Sequence, residues 1–135
     1  MGAFAESKAV VVGSKNFNES YLLSEILSQL LEADGYSVDR RFGLGGTLVC
    51  YEALTNGEID VYVEYSGTVS QAILKNPGSI GMAALNQQLE SLNLELLDSI
   101  GFNNTYAVAI KQSLAKERGL TTVSDLATST DLKLA

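Results

Sequence analysis

Short apolar runs that stop at glycine or small polar residues, and then hand over to helical periodicity, recur along the first half of this chain. Lys8–Val12 is such a run; it ends at Gly13 and reads as a buried strand. Tyr21, Leu22, Ile26, Leu30 and Leu23, Leu27, Leu31 then recur at three and four residues, which predicts a helix with a broad apolar face. Asn16 with Glu19 has capping-box spacing, Asn18 is equally placed to cap, and Gly35 stands where a helix C-cap is expected. Ser37–Phe42 predicts a second strand, Gly43-Leu44-Gly45-Gly46 a tight loop, and Thr47 the cap of a helix running to Asn56 and ended by Gly57. Ile59–Val63 predicts a third strand, followed by a helix over Thr68–Leu74 that stops near Asn76-Pro77-Gly78. Beyond it the pattern predicts a helix over Ala83–Leu92, strands over Leu94–Ile100 and Thr105–Ile110, and helical pieces over Gln112–Arg118 and Val123–Ala127. Thr130–Ala135 reads as a strand just beginning, which predicts a chain that stops inside a fold.

Strands alternating with helices define an α/β class with a mostly parallel sheet and right-handed crossovers. In such sheets ligands sit outside the carboxyl ends of the strands. The candidate site is therefore built from the loops Gly13–Asn18, Gly43–Thr47 and Glu64–Thr68.

Composition narrows the function. With 135 residues, 46% of them hydrophobic and 19% charged, the chain is long and apolar enough for one globular domain with a core. No apolar run approaches the roughly 18 residues of a membrane span. The net charge is -7 and the nine Lys and Arg are scattered, which argues against nucleic acid as a partner. Histidine is absent, which removes the commonest general base and the commonest zinc ligand together. Cys50 is the only cysteine, so no intrachain disulfide forms, and a buried structural thiol is expected inside its helix. Neither a metal nor a cofactor is expected, and the chain reads as a non-enzyme.

The loops carry the remaining signals. Gly13-Ser14-Lys15-Asn16-Phe17 follows a strand and opens a helix, where backbone N–H groups and a lysine can hold an anion. An ordinary solvated loop is equally open there. Walker A spacing is not present. Gly43-Leu44-Gly45-Gly46-Thr47-Leu48 lacks the last glycine of a dinucleotide fingerprint, so a tight strand-to-helix turn is the better reading. Tyr65 falls at the carboxyl edge of the third strand, beside Ser66 and Thr68, while Tyr62 is expected on the opposite face. Tyr106 follows Asn103-Asn104. A lone tyrosine is usually a packing residue, whereas two brought to one cleft offer faces to a cation. Glu58 and Asp60 read as solvated turn residues. Two other readings stay open from the residues alone: a nucleotide- or phosphate-binding α/β enzyme domain using the Gly13 and Gly43 loops, and an interaction domain without a small ligand.

Val11-Val12-Gly13-Ser14-Lys15-Asn16-Phe17-Asn18-Glu19-Ser20 resembles the opening of the substrate-binding proteins of ABC importers for quaternary ammonium osmoprotectants. Arg41–Thr47 resembles their second loop, Asn56–Thr68 their third, and Asn104-Thr105-Tyr106-Ala107 the segment entering the second lobe. The four motifs stand in the family's order across residues 8–135. The resemblance implies a type II periplasmic-binding-protein lobe over residues 8–104, with residues 105–135 forming a hinge strand and the start of an incomplete second lobe. It implies binding of glycine betaine, choline or a related compound in an aromatic cage, with Tyr65 and Tyr106 as walls and Lys15 and Thr68 on a carboxylate. Ser14, Asn16, Gly45, Gly46 and Thr47 would be the supporting loops. It also implies a membrane permease as partner and a periplasmic or extracytoplasmic location. The family often has Pro where Val63 stands and Thr where Ser66 stands. Unpartnered apolar surface after Thr105 predicts a homodimer that exchanges the C-terminal segment.

Overall fold

The computed structural model describes residues 9–129 and 131–133. The chain forms two compact units, one running to Leu97 and one starting at Asp98.

The first unit is organised by β1 (Val10–Lys15), which stands at the centre of its small sheet. β2 (Val38–Gly45) pairs with it in parallel, Val10 opposite Val38 and Gly13 opposite Arg41. The connection is α1 (Asn18–Ala33), so the predicted βαβ unit forms. The strand runs three residues past Val12 because Gly13 packs rather than turns. A Cβ on Gly13 would lie 2.6 Å from Ile59 Cδ1, so only glycine lets the third segment come this close.

The register slips between Gly13 and Lys15, which is paired with Gly45. Gly43–Gly45, expected as a loop, thus belong to the end of β2 as a bulge. Ser14, fully buried, accepts the Gly43 N–H on its Oγ at 2.8 Å and holds the bulge in place. Gly43 has φ +73, a left-handed conformation in which side chains are strained, and a Cβ there would meet the Tyr21 hydroxyl at 3.0 Å. Packing and backbone shape account for this glycine.

The third segment lies along the other edge of β1. Asp60 and Val61 donate their N–H groups to Val11 O, and Gly13 N–H donates to Val61 O at 2.8 Å. Only the Val12–Val61 bridge has strand geometry, so the expected Ile59–Val63 strand shrinks to one paired position. Asp60, expected as a solvated turn residue, is exposed but uses Oδ2 to accept the Val11 N–H at 2.8 Å.

α1 packs differently from its sequence periodicity. Its fully buried residues are Ser20, Ser24 and Ser28, while Leu22, Ile26 and Leu30 are exposed and Leu23, Leu27 and Leu31 half-buried. The serines are satisfied locally: Ser24 Oγ donates to Gly13 O at 2.8 Å, and Ser28 Oγ donates to Ser24 O. Neither Asn16 nor Asn18 caps the helix; Phe17 holds the N-cap position without a side-chain bond.

α2 (Thr47–Thr55) starts after Gly46, so Gly46, not Thr47, is its N-cap. Cys50 and Ala53 turn inward to join Val12 and Ile59 in the core. α3 (Ser66–Thr68) runs directly into a π-helical turn, Val69–Ile73. α4 (Met82–Glu90) closes a second apolar cluster with Leu85 and Leu89 against Val69, flanked by Ile73, Ile80, Leu94 and Leu96.

In the second unit α5 (Gln112–Arg118) matches the expected helix and ends at Gly119 in the left-handed region, φ +65. A 3₁₀ helix, Val123–Thr128, follows with a capping box between Thr122 and Asp125. The strands expected over Leu94–Ile100 and Thr105–Ile110 are absent among the described residues, because no neighbouring strand is there to pair them. Of the expected terminal strand, Thr130, Leu134 and Ala135 lie outside the described residues, and 131–133 are irregular.

Candidate functional site

The carboxyl end of the sheet gathers Lys15 with the two loops it was expected to meet. Lys15 N–H donates to Ser20 Oγ at 2.9 Å, which ties the end of β1 to the first turn of α1. Asn16 N–H donates to Gly45 O at 3.0 Å, so the Gly13 and Gly43 loops lie side by side. Ser14 is buried beneath the junction, Gly46 caps α2, and Thr47 is its first residue.

The Lys15 side chain turns inward, with only 6% of it exposed. Its Nζ stands 5.1 Å from the centre of the Tyr65 ring and 5.6 Å from that of Phe17. Two aromatic faces thus already surround a cation, an arrangement worth about 0.5–2 kcal/mol per ring. Nζ also donates to Glu64 Oε1 at 2.5 Å, and the Glu64 side chain is 4% exposed. The same Oε1 accepts the Tyr65 N–H at 2.9 Å. The buried Glu64 Oε2 receives no well-formed hydrogen bond. Burial raises the Glu64 carboxyl above its usual range, and the Lys15 ammonium pulls it back down. Tyr62 lies on this same carboxylate: burial first, then the negative charge of Glu64, pushes its phenol up.

Tyr65 is the N-cap of α3, in extended geometry, and its hydroxyl donates to the Glu19 carboxylate of α1. Thr68 ends α3, half-buried and three residues beyond Tyr65. The structure therefore brings Lys15 and Tyr65 together, sets Thr68 one helical turn away, and leaves Tyr106 fully exposed in the second unit. Phe17 and Glu64 lie inside the expected site loops, but the sequence reading assigned neither of them a role in the site. Phe17 could have been found from its place at the end of the strand–helix loop. Glu64 was hidden among acidic neighbours, with no local sign of burial.

Cys50 is fully buried and its thiol is pushed up by burial, as expected of a structural cysteine. Among the described residues no cluster of His, Cys, Asp and Glu could hold a metal ion, and no helix is long and apolar enough to cross a membrane.

A parallel α/β unit with its candidate site at the carboxyl edge of the sheet fits a lobe of the periplasmic-binding-protein class. Solved structures agree. Apo YehZ from Escherichia coli superposes with a TM-score of 0.68 at 30% identity, covering 93% of this chain and 47% of that one. A glycine betaine/carnitine/choline ABC transporter structure gives the same TM-score and identity over 87% of this chain. Residues 8–135 match the substrate binding domain of ABC-type glycine betaine transport systems, and the chain belongs to that family. An ergothioneine transport permease/ergothioneine binding protein of Helicobacter pylori is 40% identical over 126 residues, which is 90% of this chain and 23% of that protein. A carnitine transport binding protein of Listeria monocytogenes is 34% identical over 122 residues, 85% of this chain and 40% of that protein. The chain thus spans well under half the length of these relatives.

Proposed function

We propose that this chain supplies one lobe of the solute site of an ABC importer for a betaine or another quaternary ammonium compound. The observation that carries the reading is the Lys15 ammonium held between the Tyr65 and Phe17 rings at the carboxyl edge of the sheet. A quaternary ammonium has no hydrogen to donate, so its recognition rests on ring faces and desolvated contact. Tyr65 and Tyr106 are the aromatic walls by resemblance. A ligand carboxylate would take Lys15 and Thr68. An ammonium has three donors, so one bond to Glu64 leaves two for a carboxylate. No chemical step is involved: the lobe binds and releases. Residues 8–104 would form the first lobe and 105–135 the entry to the second, facing a membrane permease outside the cytoplasm.

The relatives named for ergothioneine and carnitine, and the glycine betaine family, give the ligands to try. Titration of the chain with each, followed by amide NMR, tests the reading. Shifts at Lys15, Tyr65 and Thr68 are expected, with a Kd of about 1 mM or weaker for a lone lobe, or roughly -4 kcal/mol. No shift at tens of millimolar for any of the three would overturn it.

Large apolar side chains exposed at Val108, Ile110 and Val123 support the further proposal that two chains exchange the segment after Thr105. Light scattering should show a dimer; a monomer at high concentration rejects the exchange.

A further inference from the structure

Glu64 has no role in the site as proposed, yet it touches both central members. One oxygen, Oε1, accepts from Lys15 Nζ at 2.5 Å and from the Tyr65 N–H at 2.9 Å. The first bond fixes a side chain from the end of β1; the second fixes the backbone of the residue whose ring stands 5.1 Å from that same Nζ. Both charged side chains are nearly sealed from water, at 6% and 4% exposure. A buried ion pair is a poor way to gain stability, since a well-packed apolar pair does as well or better. It is a good way to hold a flexible ammonium at one point. Lysine has a four-carbon stem, and among the described residues Glu64 is the carboxylate that Nζ pairs with.

We propose that Glu64 is the positioning residue of the binding site: it holds the Lys15 ammonium against the Tyr65 ring and, through the Tyr65 N–H, sets that ring at the sheet edge before ligand arrives. The inference rests on the functional reading above. It assigns Glu64 no ligand contact, because Oε1 is taken by Lys15 and Tyr65 and Oε2 is buried. Preorganisation of this kind reduces the side-chain ordering that binding would otherwise cost.

The test uses the chain as it stands, in two arms. In the ligand-free protein, NMR follows the Lys15 methylene protons and the Tyr65 amide. In Glu64→Gln the Lys15 protons should lose the shielding of the two rings, and the Tyr65 amide should shift. In the second arm, glycine betaine is titrated into wild type, Glu64→Gln, Lys15→Met and the double variant. Each single change should weaken binding about tenfold. The double variant should be less than about twofold worse than Lys15→Met, because a glutamine oxygen still accepts the Tyr65 N–H and both single changes then act through the Lys15–Glu64 contact. A merely structural role would give losses that multiply. If Glu64→Gln alone fails to fold, it is compared within the Lys15→Met background, where no unpaired charge is left. Unmoved Lys15 and Tyr65 resonances, or multiplying losses, overturn the inference. Failure of the wild type to bind overturns the functional reading instead, and the ligand-free resonances then decide the positioning role alone.

Discussion

Two carboxylates illustrate how much a single residue's surroundings decide. Glu64 is sealed beside Lys15, and Glu64→Ala would leave the ammonium buried without a counter-charge. Loss of about 3–5 kcal/mol is expected, read by urea unfolding. Asp125 is half-buried, and its Oδ2 accepts the Thr121 and Thr122 N–H groups, each at 2.7 Å, which lowers its carboxyl to about 2. A depressed carboxyl contributes stability that is present above its unfolded value, near 3.8, and lost as pH falls toward about 2. The Thr121 and Thr122 amide signals should therefore titrate with a midpoint near the lower value; a midpoint near 3.8 would show that the capping box does not form in solution. Neither role could be read from the sequence. Asp125 lies four residues from Thr121, a spacing many solvated loops share, and Glu64 meets a lysine 49 positions earlier.

Among the elements, α1 shows where periodicity misleads. The pattern of Leu, Ile and Tyr located the helix correctly over Asn18–Ala33, since any broad apolar stripe at three and four residues requires one. It placed the inner face only in part: Leu23, Leu27 and Leu31 are half-buried beside the serines, while Leu22, Ile26 and Leu30 face out. Three serines spaced by four let the helix lie close to β1: Ser20 Oγ accepts the Lys15 N–H, Ser24 Oγ donates to Gly13 O, and Ser28 Oγ donates to Ser24 O within the helix. Ser24→Leu should cost about 1–3 kcal/mol by overpacking, whereas Leu22→Ala, at an exposed position, should stay within about 0.5 kcal/mol. Thermal denaturation of the two variants distinguishes this packing from a leucine-inward helix, which predicts the reverse order. Gly13→Ala belongs to the same contact: its Cβ would press on Ile59, and a loss of about 1–3 kcal/mol is expected by the same measurement. The strands illustrate the other limit. β1 and β2 were legible because each is apolar or alternating and each has a partner. Leu94–Ile100 and Thr105–Ile110 have the composition of strands but no neighbour to bond with, and a ladder is a property of pairs.

Across the whole molecule, order is unevenly distributed. β1 is bonded on both edges, while residues 102–110 have no regular structure and expose Phe102, Tyr106 and Val108. Amide exchange should be slowest at Val12 and Gly13 and fast throughout 102–110. Equal protection in the two regions would contradict this arrangement. The site's plan was legible at this scale, because a parallel sheet directs its loops to one edge whatever the side chains. Lys15 and Tyr65 were placed at that edge by strand order alone, and the structure adds their mutual approach. What the linear pattern lacked was the third partner between them.

That third partner also limits how such a site can diverge. Replacing Lys15 alone leaves a buried carboxylate, and replacing Glu64 alone leaves a buried ammonium. A lineage retuning this pocket toward a ligand without an acidic group would have to alter both codons, or pass through a crippled intermediate. A randomised library at the two positions should return the original pair and doubly neutral pairs, with mixed combinations rare. On the proposed reading, new ligands would reach this lobe through paired replacements at Lys15 and Glu64.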